Sequence, residues 1–237
     1  MITFHNITLF GEAFDSYIGS SIIKRAIENK KIKVINYNPR DFVIASKGKT
    51  LSYSEKRVDN RPYGGGPGMV IEALPVIKAI DKAVGKYLKD PKKKKEVKIV
   101  FFSPSGEQFT NKVADNFKKY KHIVFVCGRY EGIDARVKKV FPMVDISVGP
   151  YVLTGGELPA MIMIDAISRR VKGVLGDINS LEEERVAGKD VYTRPESFVY
   201  KNKKYQVPKV LLSGNHAEIE GWKKKINETV DKKVDKI

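Results

Sequence analysis

Strand-like runs in this chain repeatedly end in glycine. His122-Ile123-Val124-Phe125-Val126-Cys127 runs into Gly128-Arg129-Tyr130-Glu131-Gly132-Ile133-Asp134. Val144 to Ser147 runs into Val148-Gly149-Pro150-Tyr151-Val152-Leu153-Thr154-Gly155-Gly156. Arg61-Pro62-Tyr63-Gly64-Gly65-Gly66-Pro67-Gly68 is a third glycine-bearing stretch, too rich in glycine and proline to be an element interior. Without a Cβ, a glycine lets the main chain come close to a ligand. The loop after Val144–Ser147 also feeds a helix N-terminus, where the first N–H groups lack intrahelical partners. Among the few charged side chains near these loops are Glu131, Asp134 and Arg169. Such a pocket suits a neutral or zwitterionic cofactor held by main-chain hydrogen bonds better than a polyphosphate.

Other chemistries lack their residues. His5, His122 and His216 are scattered and Cys127 stands alone, so no metal-ligand set appears in the spacing. A P-loop, a GxGxxG after the first strand and a GxSxG are all missing. A lone cysteine gives no disulfide framework and fits a reducing cytoplasm. The first residues do not form a signal peptide, and no apolar run approaches the ~20 residues of a membrane span. Lys plus Arg is 44 against 28 Asp plus Glu, a net +16. That surplus favours a polyanionic partner, most often nucleic acid, over a merely lysine-rich surface.

The elements that must carry these loops are α/β. Residues 2–10 and 32–37 alternate as strands around a helical period from Phe14 to Lys30. Residues 71–88 can form a helix with Pro75 in its first turn, and Val97–Phe102 a strand. Ser103 to Glu107 reads as a loop into a helix that ends near Tyr120. The apolar run at 122–127 is typical of a parallel strand buried on both faces. In parallel sheets ligands sit beyond the carboxyl ends of strands, which makes the glycine loops one composite pocket. After the helix at 158–167, residues 176–194 read as a flexible interdomain linker. Residues 195–237 carry ten lysines against six acids, net +4, and a helical period over Ala217 to Val230. The organisation expected is a domain at 1–175, the linker, and a small helical domain at 195–237.

Eight segments in order resemble bacterial tRNA (guanine-N1)-methyltransferase, a SPOUT or trefoil-knot methyltransferase. They are 38–42 (NPRDF), 61–69 (RPYGGGPGM), 103–106 (SPSG), 127–134 (CGRYEGID), 151–160 (YVLTGGELPA), 173–176 (GVLG), 192–195 (YTRP) and 211–219 (LLSGNHAEI). The resemblance implies a parallel-sheet α/β fold with a deep trefoil knot. It also implies methyl transfer from S-adenosylmethionine to N1 of guanosine 37, an anticodon stem-loop partner, a homodimer with interfacial active sites, and a Mg²⁺ requirement without an assigned metal site. Cofactor contacts carry over to Tyr130, Glu131, Gly132, Val148, Gly149, Tyr151, Val152, Leu153, Gly155 and Gly156, with Pro67, Gly68 and Pro159 completing the wall. Substrate contacts carry over to Tyr63, Arg169, Arg194 and His216, and Lys209 and Lys223 to Lys225 are further RNA candidates.

Neutral guanine carries a proton on N1, so the reaction needs a base, and a cation where charge builds toward O6. The family's arginine falls on Arg169. Its linker aspartate falls, counting from the 173–176 segment, on Glu184, with Asp177 as the rival. The departure from Asp leaves a second reading open, a non-catalytic RNA-binding module. Methylation of another RNA or another atom is a third.

Overall fold

The structure is a computed structural model that describes residues 1–43, 51–52, 54–175 and 190–223. The chain divides into two compact units, Met1–Gly176 and Asp177–Ile237.

The first unit is built on a parallel sheet of five strands among the described residues. The strands are β1 (Ile2–Ile7), β2 (Ile32–Tyr37), β5 (Val97–Gln108), β6 (His122–Val126) and β7 (Val144–Ser147), in the order β2-β1-β6-β5-β7. Every pairing is parallel, so all carboxyl ends lie on one edge. The central strand β6 shows why its sequence is apolar from Ile123 onward. Ile123 and Phe125 join a core with Phe4, Phe14, Met163, Ile164 and Ile167. Val124 and Val126 point the other way, to a second core with Val76, Ile80 and Val84. Period-2 alternation therefore serves two buried faces, as expected of a strand covered on both sides. α2 (Ser21–Glu28), α5 (Asn111–Phe117) and α7 (Glu157–Ser168) cover one face, and α3 (Ala73–Leu88) covers the other.

Three boundaries differ from the sequence expectation, each for a local reason. The helix expected from Phe14 to Lys30 is broken into α1 (Asp15–Ile18) and α2 at Gly19-Ser20. Gly19 ends α1 so closely that a Cβ there would lie 2.7 Å from the Asp15 carbonyl oxygen, and Ser20 is extended. α3 starts at Ala73 because Val70–Ile71 form a short strand, β4, paired with β3 (Asp59–Asn60). Ile71 also donates its N–H to the Gly132 carbonyl at 3.0 Å, which ties this segment to the end of the 128–132 loop. β5 runs on to Gln108 instead of stopping at Phe102, with its pairing to β7 shifting between Phe102 and Glu107. Residues 103–106 bulge out of the ladder, where Pro104 has no N–H to contribute. α5 consequently begins late, capped by the Thr110 hydroxyl, which accepts from Val113 N–H at 3.3 Å.

A partly buried polar pair sits within the sheet. His5 Nε2 and His122 Nδ1 are 3.1 Å apart, His5 Nδ1 is 3.3 Å from the Tyr37 hydroxyl, and Tyr87 stacks on His122. Burial, and then the neighbouring His122, Lys33 and Lys86, push the His5 pKa down to about 4.

The second unit holds an antiparallel hairpin, β8 (Ser197–Tyr200) and β9 (Lys203–Gln206), in a stretch where no element is predicted. Its turn is made by Lys201 and Asn202, both at positive φ and neither a glycine, so the usual turn signal is missing. A short helix α8 (Lys209–Leu212) follows, and residues 216–223 are helical. Asn215 caps this last helix, its side-chain oxygen accepting from Ala217 N–H at 3.2 Å. Among the described residues, no helix is long and apolar enough to cross a membrane.

Candidate active site

Parallel strands put the ends of β6, β5 and β7 side by side, and the glycine loops meet there. They enclose an open cleft of about 300 Å³. One wall is the loop after β6: Gly128, Arg129, Tyr130, Glu131 and Gly132. The opposite wall is the loop after β7: Val148, Gly149, Tyr151, Val152, Leu153, Thr154, Gly155 and Gly156, with Pro159 from the first turn of α7. The floor is Phe101, Phe102, Ser103 and Pro104 from the bulge of β5, with Ile146 and Ser147.

Main-chain bonds hold the two walls together. The loop after β7 crosses the end of β5 and pairs with the loop after β6, Gly155 bridging Arg129 and Gly156 N–H donating to the Gly128 carbonyl at 3.0 Å. The approach leaves no room for a side chain: a Cβ on Gly156 would lie 2.5 Å from the Cα of Cys127. Ser147, buried at the end of β7, steadies the start of its loop through the Gly149 carbonyl at 3.0 Å. The Tyr151 ring folds back over Gly149, its hydroxyl donating to the Val148 carbonyl at 3.1 Å.

Beneath this crossing lies an ion pair that the motif reading passed over. Glu157, the first residue of α7, is only 2 % exposed. Its carboxylate accepts from the Thr8 hydroxyl at 2.7 Å and meets Arg129 Nε at 3.0 Å. Arg129 in turn lies over the Phe10 ring, 4.6 Å from its centroid. The end of β1, the loop after β6 and the start of α7 are thus fastened at one point. The sequence signal was present, an acidic residue in a helix first turn directly after Gly-Gly. Only the fold shows that it is buried.

Of the residues expected to contact a cofactor, the structure brings together Tyr130, Glu131, Gly132, Val148, Gly149, Tyr151, Val152, Leu153, Gly155, Gly156 and Pro159. Gly68 stands just behind this wall. A Cβ on it would lie 2.5 Å from the Glu131 carboxylate, and Glu131 N–H donates to the Met69 carbonyl at 3.0 Å. Pro67 is its exposed neighbour, and Tyr63 is fully exposed. Phe101, Phe102, Ser103, Pro104 and Thr154 line the cleft without having been singled out as contacts. Pro104 could be missed because a strand was not expected to continue past it.

Two other candidates have structural work. Asp134 accepts from the Arg136 N–H at 2.9 Å, at the start of α6 (Arg136–Val140), and pairs with the Arg136 guanidinium at 2.7 Å, which holds its carboxyl below the usual carboxylate range. Burial pushes the Cys127 thiol well up, and the Glu157 charge adds to this, so Cys127 is a packed apolar residue and not a nucleophile.

The sequence pattern of the family described as tRNA (guanine-1)-methyltransferase TrmD matches residues 2–237. The chain belongs to this family. It is a methyltransferase of the tRNA-modifying class. A tRNA (guanine-N(1)-)-methyltransferase of Staphylococcus aureus is 40% identical over 237 residues, covering 98% of this chain and 89% of the relative. That of Dictyoglomus turgidum is 39% identical over 229 residues, covering 95% and 84%. The crystal structure of tRNA (m1G37) methyltransferase from Aquifex aeolicus superposes with a TM-score of 0.76 at 36% identity, covering 98% of this chain and 92% of that one.

In this methyltransferase Arg169, expected to be catalytic, does not line the cleft. Arg169 caps the far end of α7, half-buried, while the cleft is at its first turn. At 1.5 Å per residue the two ends are about 18 Å apart. Arg169 lies within electrostatic reach of Tyr17, whose hydroxyl bonds Asp165. Burial and the Asp165 bond push the Tyr17 pKa up to about 12. Glu184 and Asp177, and Lys224 and Lys225, lie outside the described residues. Arg194, Lys209 and His216 are exposed on the second unit, and Lys223 there is half-buried. No group of three or more His, Cys, Asp or Glu able to hold a metal ion occurs among the described residues.

Proposed function

We propose that this chain transfers a methyl group from S-adenosylmethionine to N1 of guanosine 37 in tRNA. The observation that carries the reading is the cleft itself, in a chain that belongs to a tRNA (guanine-1)-methyltransferase family. The residues present fit the cofactor. Main chain of two glycine loops supplies neutral donors and acceptors, Tyr130, Tyr151, Leu153, Pro104 and Pro159 supply flat apolar walls, and Glu131 supplies one carboxylate for a cationic group. When bound, S-adenosylmethionine supplies an electrophilic methyl on a sulfonium centre. The crossing of the 148–156 loop past the end of β5 supports the trefoil knot.

The remaining roles fall to the chain's own groups. A linker carboxylate, Glu184 with Asp177 as rival, takes the N1 proton of guanine. The Arg169 guanidinium balances the charge that develops at O6. Arg194, Lys209, His216 and Tyr63 contact the RNA. Residues 1–175 form the methyltransferase domain, 176–194 the linker and 195–237 the tRNA-binding domain. A Mg²⁺ requirement, implied by the resemblance, has no ligand set proposed here and no step is assigned to it.

The 18 Å between cleft and Arg169 supports a homodimer in which one copy's cleft meets catalytic groups of the other. α7 supports the same arrangement. It is apolar around most of its circumference, as a helix buried on all sides would be, yet Leu158 is 53% and Ile162 43% exposed on one stripe. A second copy would cover them. The fold and the reaction fit a cytoplasmic enzyme.

The test is incubation of the full chain with labelled S-adenosylmethionine and an undermodified tRNA pool, followed by mapping of the modified nucleotide. Label at N1 of guanosine 37 is expected. Label elsewhere, or none, overturns the reading. In single-turnover assays Glu184→Gln is expected to slow methylation by at least a hundredfold. A near-normal rate for that variant with a slow Asp177→Asn moves the base to Asp177.

A further inference from the structure

The hairpin of the second unit has a face that the cofactor cleft leaves unused. Phe198 pairs opposite Tyr205, and Tyr200 opposite Lys203. Strand alternation and cross-strand pairing put these four side chains on one face. The rings of Phe198 and Tyr205 stack, with centroids 5.4 Å apart and planes 18° from parallel. All three rings are exposed: Phe198 by 56%, Tyr200 by 59% and Tyr205 by 41%. Lys201 Nζ stands 5.5 Å from the Tyr200 centroid and Lys203 Nζ 5.6 Å from that of Tyr205. A two-stranded ribbon is marginal in water by itself, and exposed rings grouped on one face mark a contact surface.

Charge selects the occupant. Lys201, Lys203 and Lys204 stand against Glu196 alone between 196 and 206, in a chain of net +16. Covering this face with protein would strip water from the lysines without a matching anion. Phosphates of a nucleic acid would match them, and every base offers a flat face to a ring. The turn agrees. Lys201 holds a left-handed conformation, φ 47°, at a position that asparagine or glycine fills more easily. The sequence keeps a cation there instead.

We propose that hairpin 197–206 is a stacking platform for unpaired RNA bases, with Phe198, Tyr200 and Tyr205 taking the bases and Lys201 and Lys203 the adjoining phosphates. This deepens the reading of the chain as a tRNA methyltransferase and rests on it for the identity of the RNA.

The test uses the full chain, a fluorescently labelled tRNA transcript and, separately, a short single-stranded oligoribonucleotide. Phe198→Leu and Tyr205→Leu keep an apolar side chain and remove the π-face. Each is expected to weaken binding of both RNAs about tenfold, with S-adenosylmethionine affinity and the single-turnover rate at saturating tRNA unchanged. Phe198→Tyr is expected to bind within twofold of the parent. Lys201→Gln is expected to lower the slope of log K against log salt by about one. Leu variants that bind both RNAs like the parent overturn the platform. So does a Phe198→Leu variant whose only change is a smaller assembly in light scattering, which would make the face a protein contact. A parent chain that methylates no tRNA, but loses oligoribonucleotide binding on Phe198→Leu, sinks the enzymatic reading and leaves the platform standing.

Discussion

The Gly155-Gly156 crossing makes the sharpest demand on a single atom. Gly156 has φ −82° and ψ −5°, which any residue adopts, so backbone conformation does not require glycine there. Space does. A Cβ would stand 2.5 Å from Cys127 Cα, 3.0 Å from Cys127 Cβ and 3.1 Å from Gly128 N. Ordinary carbon contacts need about 3.5 Å or more, so Gly156→Ala must move the loop away from β6 by roughly 1 Å. The neighbours are the backbone and the Cβ of the residues directly after β6, which cannot swing aside. Overpacking of this kind costs about 1–3 kcal/mol, which in a chain of this size lowers Tm by about 2–12 °C. The loop carries most of one cleft wall, and misplacement by 1 Å at a reacting centre can cost about a hundredfold. Gly156→Ala is therefore expected to weaken S-adenosylmethionine binding at least tenfold in isothermal titration, with a modest fall in Tm by scanning calorimetry. Gly132→Ala is the control of opposite kind: φ is 119° with nothing within 4 Å of the new atom, so any cost there is conformational. A Gly156→Ala protein that binds the cofactor within twofold of the parent would refute the close-approach reasoning.

Two further outcomes follow from buried polar groups. Glu157→Gln keeps an acceptor for Thr8 but removes the charge facing Arg129. Because Arg129 retains 25% side-chain exposure, the loss should fall near the low end for a buried pair, about 3 kcal/mol by urea unfolding, and an unchanged midpoint would show that the pair contributes nothing. His5 gives a pH dependence. Folding keeps it neutral down to about pH 4, whereas the unfolded chain takes up its proton as pH falls below the ordinary 6.5. Stability is therefore fully present above pH 6.5 and is lost as pH falls toward 4, by about 2 kcal/mol between pH 6.5 and 5 at 1.4 kcal/mol per unit. His122, also shifted down by burial, adds in the same direction. His5→Leu should flatten the slope of unfolding free energy against pH, and a parent protein with flat stability over this window would contradict the assignment.

Much of this protein was determined by local sequence. The apolar run 123–126 specified a strand buried on both faces, because a surface strand rarely carries four such residues in a row. The glycine loops after β6 and β7 announced a pocket built from main chain, and a parallel sheet has to bring strand ends to one edge. Helix starts carried by a polar side chain, such as Thr110, were written in the chain, although Pro104 and Gly106 drew attention away from a strand that bulges and resumes. Other features belong to the tertiary structure alone. The sheet order places β6 between β1 and β5, across more than a hundred residues of sequence, and nothing local encodes a pairing of that range. That order alone turns Glu157, Arg129 and Thr8 into one cluster, and brings Gly156 hard against the Cys127 backbone. It also separates Arg169 from the cleft by the length of α7. A helix carries two chemically linked residues to opposite ends as readily as it brings others together, and only its placement in the fold decides which.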